Sequence, residues 1–212
     1  MNWSVFLRNK HFRNELIISV IILAFTLTSL AKFLNYVESR NGITLPDPIL
    51  KLFNPVNLTW LTFILIYFSI VLILFSLSTK PTKLIFVVQC YIMLIIIRIF
   101  MMYLMPLNPP ESMILLNDPF VQFFGTGQPL TKDLFFSGHT ATIFLFYLVS
   151  EKNVYKAFFL IATVLVGTSV LVQHVHYSID VASAPFFAYI SYRLIYLLHS
   201  RLVKYSLLKG QL

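Results

Sequence analysis

The chain has 212 residues, of which 58% are apolar and 11% are charged, against roughly 25% charged residues in an average soluble domain. So few charged side chains do not cover the surface of a soluble protein of this size, and the composition therefore predicts a large apolar surface that faces lipid. The net charge is +8, but the basic residues stand singly or in pairs at the ends of apolar runs, which is typical of membrane topology and argues against a nucleic-acid partner.

Six apolar runs predict membrane-spanning helices, since one span needs about 20 apolar residues. The first run follows three basic residues and is not followed by a small-residue cleavage site, so we expect a retained span rather than a signal peptide. A short interfacial helix is predicted near residues 49–53. The sequence thus predicts an all-α polytopic membrane protein with a single domain over residues 1–212. The predicted spans are Leu16–Leu34, Leu58–Ser78, Leu84–Met105, Leu134–Val149, Ala157–Gln173 and Ile179–Leu198.

The charges between the spans predict the orientation of the chain. Ten Lys and Arg residues lie in the N-terminus, the turn at 80–83, the segment 151–156 and the C-terminal tail, whereas about four lie on the other side. The positive-inside rule therefore predicts cytoplasmic termini and outward loops at 35–57, 106–133 and 174–178. The short chain favours a bacterial inner membrane.

Polar residues cluster at the predicted outer ends of two spans, where such groups are costly and usually functional. Ser137, Gly138 and His139 precede the fourth span, and His176 and Asp180 begin the sixth. The two histidines are separated by one span down and one span back, so they return to the same membrane face. The i, i+4 spacing of His176 and Asp180 places both on one side of a helix, where the carboxylate can orient the imidazole.

Two imidazoles beside one carboxylate indicate phosphoryl chemistry. One imidazole attacks phosphorus, and the other, protonated, donates to the leaving oxygen. Ser137 and Gly138 offer a hydroxyl and backbone N–H groups to a phosphate at a helix start, and no metal is required. Two other readings stay open, namely a zinc site built from His139, His174 and His176 and a non-enzymatic lipid transporter or scaffold.

Four motifs resemble the sphingomyelin synthase branch of the type-2 phosphatidic acid phosphatase superfamily. They are Leu45-Pro46-Asp47, the Arg-x-x-x-Met-Tyr pattern at 98–103, the Asp-x-x-Phe-Ser-Gly-His-Thr pattern at 133–140 and the His-x-His-Tyr-Ser-x-Asp pattern at 174–180. Their order and their positions relative to the spans are similar to those of that branch. The resemblance implies the six-helix bundle of the superfamily.

The resemblance also implies a role for each motif residue. His176 is expected to be the nucleophile that forms a phosphohistidine, Asp180 to orient it, and His139 to act as general acid and then as general base. The donor is then a glycerophospholipid, the acceptor is ceramide or a diacylglycerol, and no cofactor is needed. The residues predicted to bind substrate are Ser137, Gly138, Arg98, Asp133, Tyr103, Asp47, His174 and Tyr177.

The chain departs from the pattern of that branch at Thr44, where the branch has proline, and at Thr131-Lys132, where it has Cys-Gly. Arg98 lies deep in an apolar run and is predicted to pair with a carboxylate or a phosphate, and Pro185 is predicted to kink the last span. The Lys-x6-Arg-Pro motif of the hydrolytic branch is absent, since Arg98 is followed by Ile99, which favours transfer over hydrolysis. Lipid phosphate hydrolysis by the same residues remains the alternative, and choline, ethanolamine and inositol stay open as head groups.

Overall fold

The computed structural model describes residues 3–116 and 130–209, and part of the predicted loop at 106–133 lies outside them. In the described residues the chain forms seven α-helices, one 3₁₀ turn and no β-strand beyond a single isolated bridge, so the predicted all-α class is confirmed. The 3₁₀ turn falls where the short helix near 49–53 was predicted. The elements are α1 Trp3–Arg8, α2 Lys10–Ser39, the 3₁₀ turn Leu50–Leu52, α3 Thr59–Leu77, α4 Pro81–Leu104, α5 Gly138–Val149, α6 Asn153–Val172 and α7 Ser178–Lys209.

Within residues 3–116 and 130–209, five helices are long and apolar enough to cross a membrane, namely α2, α3, α4, α6 and the Ser178–Ser200 part of α7. Their outward faces carry large apolar side chains that no other part of the described chain covers. On α2, for example, Ile21 is 62% exposed and Phe25 is 73% exposed. Large exposed apolar faces are typical of membrane or protein contact surfaces, and their presence on helices long enough to span a bilayer supports an integral membrane protein.

The predicted fourth span is wrong in extent, because the helix occupies only Gly138–Val149 of the predicted Leu134–Val149. Leu134, Phe135 and Phe136 are apolar, but they form a non-helical segment buried inside the protein, each at most 6% exposed. The sequence pattern did not separate burial in protein from burial in lipid. Helix α5 packs against α3, α4, α6 and α7. Because protein surrounds it, this helix does not need the length of a lipid-facing span.

The ends of the helices follow ordinary local chemistry. Asn9 precedes α2, and its side-chain Oδ1 accepts hydrogen bonds from the backbone N–H groups of His11 and Phe12 at 2.9 and 3.3 Å, as an N-cap residue does. Helix α4 begins at Pro81, whose fixed φ suits the first helical turn. Helix α7 stays helical on both sides of Pro185, and the predicted kink there stays a prediction.

The connections meet at two opposite ends of the bundle. At the histidine end, which we define by the described parts of loops 40–58, 105–137 and 173–177, Ile43 N donates to Pro106 O at 2.9 Å and Val56 N donates to Val172 O at 3.0 Å. At the N-terminal end, defined by α1 and the turns at 78–80 and 150–152, Lys80 pairs with Glu151. The three predicted outward loops therefore share one end, as expected, whereas the membrane face that this end meets stays a prediction.

Candidate active site

Asp47 fastens the first loop of the histidine end to the start of α7. Its Oδ2 accepts a hydrogen bond from Ser178 N at 2.6 Å, and its Oδ1 accepts from Ile49 N at 2.9 Å and from Leu50 N at 3.4 Å. Burial alone raises the pKa of Asp47, but these hydrogen bonds outweigh burial and hold the pKa below its ordinary value. The contacts of Asp47 are therefore to backbone N–H groups, and its role in substrate binding stays a prediction.

Replacing this carboxylate tests its contribution to stability. We expect Asp47→Asn to lower the free energy of unfolding at pH 7 by about 1–3 kcal/mol, because the charge-assisted bonds to Ser178 and Ile49 weaken. Because the folded-state pKa is lowered, the stabilisation is complete above the ordinary value of 3.8 and is lost as the pH falls through the folded pKa. Thermal unfolding of both proteins in detergent, measured from pH 7 downward, checks this. A difference in stability between the two proteins that persists unchanged in acid contradicts this prediction.

Tyr177 and Gln173 tie the remaining loops together. The Tyr177 hydroxyl donates to Asn108 O at 2.9 Å and accepts from Leu45 N at 3.3 Å, and the ring is only 2% exposed. Gln173 is fully buried, and its Oε1 accepts from Leu58 N at 2.9 Å. Tyr177 was predicted to bind substrate, but its described contacts are to the protein backbone. Gln173 was not singled out, although an amide at the end of an apolar helix was a signal for it.

The two histidine motifs meet where α5 and α7 begin. Ser137, the residue before α5, donates its backbone N–H to the backbone carbonyl oxygen of Asp180 in the first turn of α7 at 3.1 Å. His139 lies in the first turn of α5, and its ring stands edge-on to Phe63 with 6.3 Å between ring centroids. The predicted convergence of the two motifs at one end of the bundle is therefore confirmed, whereas the catalytic roles of their side chains stay predictions.

His176 and Asp180 form a buried pair. The His176 Nδ1 lies 3.4 Å from the Asp180 Oδ2, and the side chains are 2% and 0% exposed. The same Oδ2 accepts a hydrogen bond from Tyr177 N at 3.1 Å, which holds the carboxylate in place. Among the described residues the other oxygen of Asp180 is buried without a hydrogen-bond partner. This geometry leaves Nε2 as the ring nitrogen of His176 that does not face the carboxylate.

The start of α5 is built around Ser137 and Gly138. Ser137 is fully buried, and its hydroxyl lies 3.0 Å from the Thr140 hydroxyl rather than capping the helix. The first N–H groups of a helix have no partner within the helix and carry partial positive charge. An anionic phosphate is therefore favoured here, beside His139.

Arg98 braces the segment before α5, as its position in an apolar run predicted. Its Nη2 lies 2.7 Å from the Asp133 Oδ1, and its Nε donates to Phe136 O at 3.1 Å. The guanidinium also lies directly over Gly138, since a Cβ at this glycine falls 2.1 Å from the Arg98 Nη1. Glycine is therefore required here for the arginine to approach. The described partner of the Asp133 carboxylate is therefore Arg98, and the role of Asp133 in substrate binding stays a prediction.

His174 occupies a strained position beside the pair. Its φ of 54° is unusual for a residue other than glycine, and its Nδ1 lies 2.5 Å from the Ser112 hydroxyl. Burial lowers the pKa of His174, and the Asp47 carboxylate offsets part of this. Among the described residues its Nε2 is buried without a hydrogen-bond partner. Ser112 carried no signal in the sequence, since it lies in a loop far from the motifs.

Tyr103, which was predicted to bind substrate, has its described side-chain contact with Arg40 and not with a histidine. Its ring is 55% exposed and lies against the Arg40 guanidinium, 5.3 Å from ring centroid to Cζ. Thr131 and Lys132, where the sequence differs from the Cys-Gly of the branch, are held in place by Glu38. The Glu38 Oε2 accepts hydrogen bonds from the backbone N–H groups of both residues at 3.0 Å. The role of Tyr103 in substrate binding stays a prediction.

No group of three or more His, Cys, Asp or Glu residues within 3–116 and 130–209 is arranged to hold a metal ion. The three histidines of the zinc alternative are all in the described chain and do not form such a group. The structure therefore provides no set of ligands for the alternative of a zinc site.

The bundle of apolar helices thus carries a buried His–Asp pair and a helix start that favours phosphate at one end, an arrangement that suits phosphoryl chemistry. Residues 132–200 match a family model described as PAP2 superfamily C-terminal, and these 69 of the 212 residues contain both histidine motifs. The match supports the type-2 phosphatidic acid phosphatase superfamily and does not distinguish the sphingomyelin synthase-like branch. No curated protein and no solved structure gives a significant match to the chain.

Proposed function

We propose that the protein transfers a phospho-head-group from a glycerophospholipid to ceramide or a similar lipid alcohol. The observation that carries the proposal is the hydrogen bond from Ser137 to Asp180, because it joins the helix start that bears His139 to the helix that bears His176. The exposed apolar faces of the long helices support the proposal that both substrates reach the site by diffusion within the bilayer.

In the first step the Nε2 of His176 attacks the phosphorus of the donor, and a P–N bond forms as the bond to the diacylglycerol oxygen breaks. His139, protonated, gives its proton to this oxygen, and diacylglycerol leaves. Asp180 stabilises the positive charge on the His176 ring through Nδ1, which supports a phosphohistidine intermediate. The backbone N–H groups at the start of α5 stabilise the oxygens of the phosphoryl group in transit.

In the second step the primary hydroxyl of the acceptor attacks the same phosphorus. His139, now neutral, takes the hydroxyl proton, and the P–N bond breaks to restore His176. The enzyme then returns to its first protonation state with no co-reactant. Positioning and electrostatic stabilisation supply the catalysis, as they do in other phosphoryl transfers.

Hydrolysis is the second candidate, because the family match is to a superfamily of phosphatases and phosphotransferases. Water then replaces the acceptor hydroxyl in the second step, and the same residues serve. The predicted membrane placement is an integral membrane protein with cytoplasmic termini and an extracytoplasmic site, on the basis of the loop charges.

A lipid assay separates the two candidates. We expect purified protein, reconstituted with a mixture of choline, ethanolamine and inositol phospholipids, to form diacylglycerol and a head-group-bearing ceramide in equal amounts when ceramide is added. Mass spectrometry identifies the head group. Release of a free phospho-head-group or phosphate that does not depend on ceramide shows the hydrolase instead. The absence of both products contradicts the enzyme itself.

A further inference from the structure

A cavity of about 340 Å³ lies at the N-terminal end of the bundle, opposite the histidines. It opens between the end of α3, the start of α4 and the connection from α5 to α6, and the proposed chemistry does not use it. Its polar lining combines hydroxyl groups, two ammonium groups and one carboxylate, from Ser76, Ser78, Thr79, Lys80, Ser150, Glu151, Lys152 and Tyr155.

The backbone acceptors at the end of α3 are already engaged by the chain itself. Phe75 O accepts from the N–H and the hydroxyl of Ser78 at 3.3 and 2.8 Å, and Leu77 O accepts from Lys80 N at 2.8 Å. Ser78 O accepts from the Trp3 indole Nε1. The hydroxyls of Ser76, Ser78 and Ser150 donate to backbone carbonyl oxygens in the same way, so the ammonium groups are the main donors left for a molecule that enters the cavity.

The charge around the cavity is positive. Lys80 and Lys83 both pair with Glu151, and the Lys152 ammonium lies 5.7 Å from the centre of the Tyr155 ring. In and around the cavity there are thus three ammonium groups and one carboxylate, and Lys83 is the one of the three lysines that does not line the cavity itself. The charge balance selects an anion.

We propose that this cavity binds a phosphate group, with the head group of an anionic phospholipid as one source and a soluble phosphate compound as the other. Lys80 and Lys152 contact the phosphate oxygens, because both line the cavity. Glu151 holds Lys80 and Lys83 when the cavity is empty and competes with the ligand for them. The site is distinct from the histidine end and does not rest on the proposed transfer reaction.

The test measures retained lipid by native mass spectrometry of the full-length protein, released from phosphatidylcholine nanodiscs with or without phosphatidylglycerol. Four proteins are compared: the unaltered chain, Lys80→Gln/Lys152→Gln, Glu151→Gln, and the matched control Lys32→Gln/Lys51→Gln. The control removes two exposed charges outside the cavity. Inorganic phosphate is added in a second arm to separate the lipid source from the soluble one.

We expect each cavity lysine to account for about 5-fold in phosphatidylglycerol retention, so that the double variant loses about 25-fold. Glu151→Gln is expected to retain more than the unaltered chain, because it frees two lysines, and the matched control is expected to retain the same amount. Displacement by inorganic phosphate assigns a soluble ligand, and its failure to displace assigns the lipid. Equal losses in both double variants, or a loss in Glu151→Gln, overturn the proposal.

Discussion

The change His176→Ala is expected to lower the rate of head-group transfer by about 10³-fold or more. The buried pair with Asp180 leaves Nε2 as the ring nitrogen free of the carboxylate, and alanine removes that nucleophile. The matched control is His11→Ala, because His11 is exposed in the first turn of α2, outside the histidine end. This control is expected to keep full activity.

The intermediate itself gives a second measurement. When the unaltered protein meets donor lipid without acceptor, intact-protein mass spectrometry is expected to show an acid-labile phospho-head-group adduct that is missing from His176→Ala. Transfer at full rate by a well-folded His176→Ala protein contradicts the proposal and leaves the transporter or scaffold reading. An adduct on the variant shows that another side chain is the nucleophile.

The change Gly138→Ala is expected to lower turnover by about 10- to 100-fold. A Cβ at this position falls 2.1 Å from the Arg98 Nη1 and 2.6 Å from its Cζ, so the guanidinium must move. Its movement weakens the bonds to Phe136 O and to the Asp133 carboxylate, which hold the segment before α5. The start of α5, and with it His139, then loses its position.

A double-mutant cycle tests whether the effect of Gly138→Ala passes through Arg98. We expect Gly138→Ala to cost much less in an Arg98→Ala background than in the unaltered protein, because the atom that clashes is gone. Gly167→Ala serves as a glycine control. A Cβ at this position comes within 3.0 Å of the Val181 side chain, a smaller clash than the 2.1 Å approach at Gly138, and it does not contact Arg98. Equal costs in both backgrounds contradict coupling through the guanidinium.

The placement of the histidine motifs was predictable from the sequence, because a chain that crosses a bilayer and returns must bring the ends of the two spans to one face. Helix α3 agrees with its predicted span to within one residue at each end, and α6 to within four. The i, i+4 spacing of His176 and Asp180 likewise predicted their pairing. Regular geometry acts over short distances in the chain, and it was sufficient for these features.

The hydrogen bonds between distant loops were not predictable in the same way. Asp47 carries a motif that resembles a substrate-binding one, yet its carboxylate reaches Ser178 N, 131 residues away. The partnership of Ser112 with His174 has no local signature either. Such contacts depend on how three loops pack together, and neither apolar periodicity nor residue spacing contains that information. The length of α5 was missed for the same reason.

In the proposed reaction, the shortness of α5 places the chemistry below the membrane surface if Ser150 lies at one boundary of the hydrocarbon core. Twelve residues of α-helix rise about 18 Å, whereas the hydrocarbon core is about 30 Å thick. With Ser150 at one boundary of the core, His139 is recessed by roughly 12 Å from the other. The phosphate group of a reacting lipid must then move below the plane of the surrounding lipid head groups. Water is scarce at that depth, and a buried lipid alcohol is the more available attacking group.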